Sequence, residues 1–106
     1  MSEGLDRLFA TIASRKDADP AASYTAKLLA AGVEKCAKKF GEEATETVIA
    51  AIQKDKTGLA KESADVLYHL AVLWAASGIT PDDVYAVLKA REAMSGLEEK
   101  ASRPKS

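Results

Sequence analysis

Hydrophobic residues recur along this chain at helical spacing, and no stretch alternates apolar and polar residues as a half-buried strand would. Leu5, Leu8, Phe9 and Ile12 fall at i, i+3, i+4 and i+7, which predicts a first amphipathic helix over about residues 3 to 16. KDADPAAS then breaks the pattern, since Pro20 disfavours helix at Asp19. Ser23 is placed to cap a short helix, YTAKLLAAG, which Gly32 ends or kinks. A longer helix follows from about Val33 to Gln53, with Val33, Ala37, Phe40, Ala44, Val48 and Ala51 as its first apolar stripe. KDKTG reads as a polar turn, with Thr57 as the cap of a helix over about 58 to 77. Within that helix VLYHLAVLWAA is apolar on nearly every face, so it requires burial on more than one side. TPDD opens the last helix, with Thr80 as cap and Asp82 and Asp83 beside the positive helix end. Val84, Val87 and Leu88 give it a narrow apolar face. Gly96 is expected to end it, leaving LEEKASRPKS as a charged tail, mobile until something binds. The expectation is an all-α fold of about five helices in a single domain over residues 1–106, with the tail at about 96–106.

Composition narrows the partners. A chain of 106 residues supports one modest core, and 47% hydrophobic against 29% charged residues excludes the disordered class. A formal net charge of −1 provides no global basic field, so no nucleic-acid partner is expected. No segment approaches the roughly 18 uncharged apolar residues of a membrane span. MSEGLDRLF lacks the basic start and apolar run of a signal peptide. Cys36 is the only cysteine, which rules out an internal disulfide and points to a small core residue. A reducing, cytoplasmic setting is the expectation.

The acidic residues depart from this bland picture. GEEATETVIA places Glu42, Glu43 and Glu46 on adjacent helical turns, where like charges repel, beside Val48 and Ile49. Glu62 and Asp65, three apart on the next helix, share a side with Val66, His69, Val72 and Leu73. That side faces protein, and unpaired buried carboxylates cost several kcal/mol each, so something positive must sit among them. If the two helices form an antiparallel hairpin, Glu46 lies about 10 Å from the turn, and Glu62 and Asp65 about 6 to 11 Å from it. Four or five carboxylates then converge. Hard oxygen ligands without a second Cys or paired His suit Mg²⁺, with Mn²⁺ as a substitute. A solvated acidic face paired with Lys35, Lys38 and Lys39 is the plain alternative. A di-iron bundle would need Glu-x-x-His motifs, which the sequence lacks.

GEEATE followed after fifteen residues by ESAD resembles the EExxE…ExxD signature of the MazG-like all-α nucleotide pyrophosphatases. SYTAKLL, KKFGEEATE, ADVLYHL and SGLEEKASR, in this order between Leu5 and Arg103, are similar to the phosphoribosyl-ATP pyrophosphatases within that superfamily. The resemblance implies Mg²⁺-dependent hydrolysis of 1-(5-phosphoribosyl)-ATP to 1-(5-phosphoribosyl)-AMP and pyrophosphate, the second step of histidine biosynthesis. It also implies a MazG-like bundle completed by homodimerisation. Many members carry a fused cyclohydrolase, and here that step is expected of another protein. By motif position Glu43, Glu46, Glu62 and Asp65 are the implied metal ligands, with Glu42 as a further ligand or the group orienting water. The polyanionic substrate calls for cations, and Lys27, Lys38, Lys39, Lys100 and Arg103 are the candidates.

His69, alone on an apolar helix, is read as a hydrogen-bonded core residue. Trp74 and Tyr68 could stack a purine, but Trp74 is expected in the core or a dimer contact. Tyr24 fits either role. Two rival functions share these features: a housecleaning hydrolase of ordinary or damaged nucleoside triphosphates, and a dimeric helical interaction module whose acids only pair with lysines.

Overall fold

The computed structural model describes residues 3–92, which form five α-helices and no strand. They are α1 (Glu3–Ser14), α2 (Tyr24–Ala31), α3 (Val33–Ile52), α4 (Lys56–Ser77) and α5 (Pro81–Glu92). The expected stop at Gly96, the charged tail, Lys100 and Arg103 lie outside the described residues.

α1 ends two residues before the predicted boundary. Its hydrogen bonds tighten from i−4 to i−3, with Arg15 N donating to Ile12 O at 3.0 Å and Lys16 N to Ala13 O at 3.2 Å. The Ser14 hydroxyl meanwhile takes the Thr11 carbonyl at 2.6 Å, an alternative to the helical ladder. Ser23 caps α2 as expected, accepting from Ala26 N at 3.1 Å. Gly32 separates α2 from α3 at φ 96°, ψ 175°, a conformation open in practice only to glycine.

The α3–α4 link is three residues long and satisfies both helix ends. Lys54 adopts a left-handed conformation at φ 59°, Lys54 N donates to Ala51 O, and Asp55 N donates to Ala50 O, both at 3.1 Å. Asp55 then caps α4, its carboxylate accepting from Gly58 N at 2.9 Å, in place of the expected Thr57. Such a cap contributes about 1 kcal/mol. α4 therefore starts two residues earlier than predicted, at Lys56. At α5 the expected signal holds: Asp83 N donates to Thr80 Oγ1 at 3.3 Å, and Thr80 N donates back to Asp83 Oδ2 at 2.8 Å.

Ile12, Leu28, Cys36, Ala71 and Val72 make the buried core, with Leu8, Phe9, Tyr68 and Leu73 packed around it. Each fully buried aliphatic side chain contributes roughly 1.5–3 kcal/mol. α4 runs through the middle, touching α1, α2 and most extensively α3, which explains why its sequence is apolar on nearly every face. Cys36 is a core residue as expected, its thiol donating to Leu28 O at 3.2 Å. Trp74 is buried too.

The apolar stripe predicted for α3 needs correction. Val33 and Val48 are 45% and 56% exposed, and Ala37 and Ala51 are exposed as well. The face turned inward carries Cys36, Phe40, Glu43, Thr47 and Ala50. Apart from Phe40 the apolar side chains there are small, and one inward position is given to an acid. Val48 and Ile52 are left exposed.

Candidate active site

With the link set at three residues, the heights of the acids match across the hairpin. Glu46 and Glu62 each stand six residues from their end of the link, about 9 Å along the axis, and Glu43 and Asp65 nine residues, about 14 Å. Two pairs of acids thus face each other at two levels. One carboxylate oxygen from each of Glu43, Glu62 and Asp65 lies within 4.8 Å of the other two. All three residues are half-buried.

This cluster has no internal counter-charge. Among the described residues no lysine or arginine lies within ion-pairing distance of these three acids. Glu62 Oε2 is buried with no hydrogen-bond partner. An orphaned carboxylate oxygen facing two further carboxylates is costly unless a cation satisfies it. Burial pushes the Glu43 carboxyl above the ordinary glutamate range, helped by a hydrogen bond and repulsion from Glu46 and by the charges of Asp65 and Glu62. Burial does the same to Glu62, again with Glu46 next to it and Asp65 behind. A donor set made only of oxygens, half-buried and mutually repelling, fits a hard divalent cation.

The other predicted acids sit at the rim. Glu46 is exposed but close enough to Glu43 and Glu62 to raise both. Glu42 faces outward and pairs with Lys39 at 3.6 Å, the one lysine–glutamate pairing of the plain alternative that forms on this helix. His69 is buried, and its Nε2 lies 4.0 Å from Glu43 Oε1, too far for a hydrogen bond. Burial and the charge of Lys39 push the imidazole below its usual range, outweighing the opposing pull of Asp65 and Glu42. A neutral ring results at neutral pH, so His69 closes one side of the cluster without supplying charge.

His69 also joins the cluster to an aromatic group. Tyr68 and Tyr24 stand edge-on to it at 5.0 and 6.3 Å between centroids, and the Tyr68 hydroxyl bonds to Thr25 Oγ1. Beyond Tyr24 a concavity of about 260 Å³ is lined by Lys27, Lys35 and Lys39 together with Leu28 and Ala31. Of the lysines singled out in the sequence, Lys27 and Lys39 meet here, whereas Lys38 is exposed and does not line it. Lys35 was passed over as a binding residue. Its signal was the i, i+4 spacing to Lys39, which stacks the two on one face of α3. A larger cavity of about 480 Å³ lies between α1, α2 and the C-terminal end of α4. It is far from the acids: Ala75 and Asp65 are ten residues apart, about 15 Å along α4.

The fold and the cluster together define a class: an all-α protein whose central helical hairpin gathers carboxylates able to hold a metal ion. The family model described as phosphoribosyl-ATP pyrophosphohydrolase matches residues 5–92. Similar proteins are each named phosphoribosyl-ATP pyrophosphatase. That of Parvibaculum lavamentivorans is 64% identical over 99 residues, 93% of this chain and 91% of the relative. That of Cereibacter sphaeroides is 60% identical, covering 93% and 96%, and that of Azospirillum brasilense 57%, covering 93% and 89%. The chain belongs to the phosphoribosyl-ATP pyrophosphohydrolase family.

Proposed function

We propose that this protein hydrolyses 1-(5-phosphoribosyl)-ATP to 1-(5-phosphoribosyl)-AMP and pyrophosphate, as a step of histidine biosynthesis, with Mg²⁺ held between α3 and α4. The observation that carries the metal assignment is the orphaned, buried Glu62 Oε2 beside Glu43 and Asp65. Glu43, Glu62 and Asp65 would be the ligands, and Glu46 completes the ring from the rim. When bound, Mg²⁺ supplies charge neutralisation at phosphate oxygens and makes water more acidic. The chain's own residues do the rest. The four acids fix where the reacting phosphates can sit, and the buried His69 limits water entry on one side. Glu42, paired with Lys39 at the rim, would accept a hydrogen bond from an attacking water. One water is consumed and the bond between the α and β phosphates is broken.

A substrate panel tests this. With Mg²⁺ the chain is expected to turn over phosphoribosyl-ATP far faster than dUTP or dCTP. The reverse order would transfer it to the housecleaning class.

Homodimerisation belongs to the same proposal. Val48 and Ile52 of α3 and Leu67 of α4 are exposed at 56%, 75% and 49%, large apolar groups that a second copy would cover. Sedimentation should give twice the 11.2 kDa chain mass. A monomer at micromolar concentration would remove the dimer from the account.

A further inference from the structure

The concavity formed across Gly32 is lined by three lysines, Lys27 from α2 and Lys35 and Lys39 from α3. Like charges around so small a space repel unless an anion lies among them. Of these three lysines only Lys39 has an acidic partner among the described residues, Glu42, while Lys27 and Lys35 have none there. Two of the three lining lysines therefore carry a charge that no acid among the described residues compensates. The concavity adjoins the acidic cluster by two routes. Lys39 pairs with Glu42, the residue before Glu43. Tyr24, on the lining, stands edge-on to His69, which in turn faces Glu43.

We propose that this concavity is the subsite for the departing pyrophosphate, with Lys27, Lys35 and Lys39 holding its oxygens and Tyr24 forming one wall. Charge chooses this part of the substrate. A concavity of about 260 Å³ with three lysines in its lining suits a diphosphate, the part of the substrate with the densest negative charge. The other phosphate of the substrate, a monoester carrying about −1.5 to −2, needs fewer cations than three. Hydrolysis adds one water across the bond between the α and β phosphates and leaves new negative charge on the pyrophosphate, and the lysines of the concavity stabilise that charge as it forms. The subsite rests on the hydrolysis proposed above, and its test separates the two.

The probe is inorganic pyrophosphate, titrated calorimetrically into the full chain with Mg²⁺ present, for the parent, Lys27→Ala, Lys35→Ala and Lys35→Arg. Both alanine variants should bind it at least about tenfold more weakly, the loss expected for one charge-assisted contact. Lys35→Arg should retain more affinity than Lys35→Ala, and the Mg²⁺-induced thermal shift should be the same in all four. Both lysines are exposed, so the variants keep the fold. Unchanged pyrophosphate affinity in both alanine variants overturns the subsite. So does a raised KM for phosphoribosyl-ATP with pyrophosphate affinity intact, which would assign the lysines to the far phosphate. Loss of the Mg²⁺ shift in the variants would also overturn it, because the effect would then not be local. Failure of the hydrolysis itself shows differently: the parent would not turn over phosphoribosyl-ATP, while the titration still reports on the lysines.

Discussion

Asp65→Asn and Glu62→Gln are each expected to lower turnover at least about a hundredfold, since even outer-shell partners of a metal typically cost about 10–100-fold. The metal-free melting temperature should stay the same or rise. The sign follows from the site's electrostatics. Asp65 raises the carboxyls of both Glu43 and Glu62, so neutralising it relieves repulsion in the folded state. Glu62 keeps a buried oxygen without a partner, and an amide there carries no charge to desolvate. A residue that only stabilised the hairpin would behave the other way, with loss of stability leading and loss of activity following. Steady-state hydrolysis and calorimetry on the same two variants distinguish these outcomes. Full activity in Asp65→Asn would remove it from the ligand set.

The second expectation couples pH to metal. Folding raises the carboxyls of Glu43 and Glu62 above their unfolded value of 4.5. Groups raised in this way contribute stability below that value and lose it as pH climbs through the raised, folded-state values. In the metal-free protein, Glu62→Gln should therefore gain on the parent as pH rises from about 4.5. Mg²⁺ binds the deprotonated carboxylates, so its stabilisation should grow over the same window and then level off. At a hundred times the dissociation constant the gain is about 2.7 kcal/mol. For a domain of this size that is on the order of 10 °C in melting temperature. Scanning calorimetry from pH 5 to 8, with and without Mg²⁺, reads both slopes. A thermal shift that is flat across that range would detach the metal from these carboxylates.

The sequence made the hairpin legible because two independent signals agreed. α4 is apolar all round, so Glu62 and Asp65 had to face protein, and the rise per residue put the acids of both helices at matching heights. The refinement came from the link. Asp55 rather than Thr57 caps α4, and the two-residue shift brings Glu46 level with Glu62 and Glu43 level with Asp65. The inward face of α3 was misjudged because apolar character was counted without the site's needs. Glu43 and Thr47 occupy inward positions, and Val48 is left outside. The basic concavity was not legible as a unit. It depends on the angle that Gly32 sets between α2 and α3, and no periodicity within either helix encodes that angle.

The claim on which the rest depends is that side chains from α3 and α4 jointly bind a divalent ion, and electron paramagnetic resonance with Mn²⁺ measures this without turnover. Titrated into the parent chain, the signal of free Mn²⁺ should be lost to a saturable site that Mg²⁺ competes for. In Glu43→Gln, on α3, and Asp65→Asn, on α4, the free signal should persist. If either variant binds as tightly as the parent, or if the parent leaves the free signal unchanged, the two helices do not share an ion and the account is wrong.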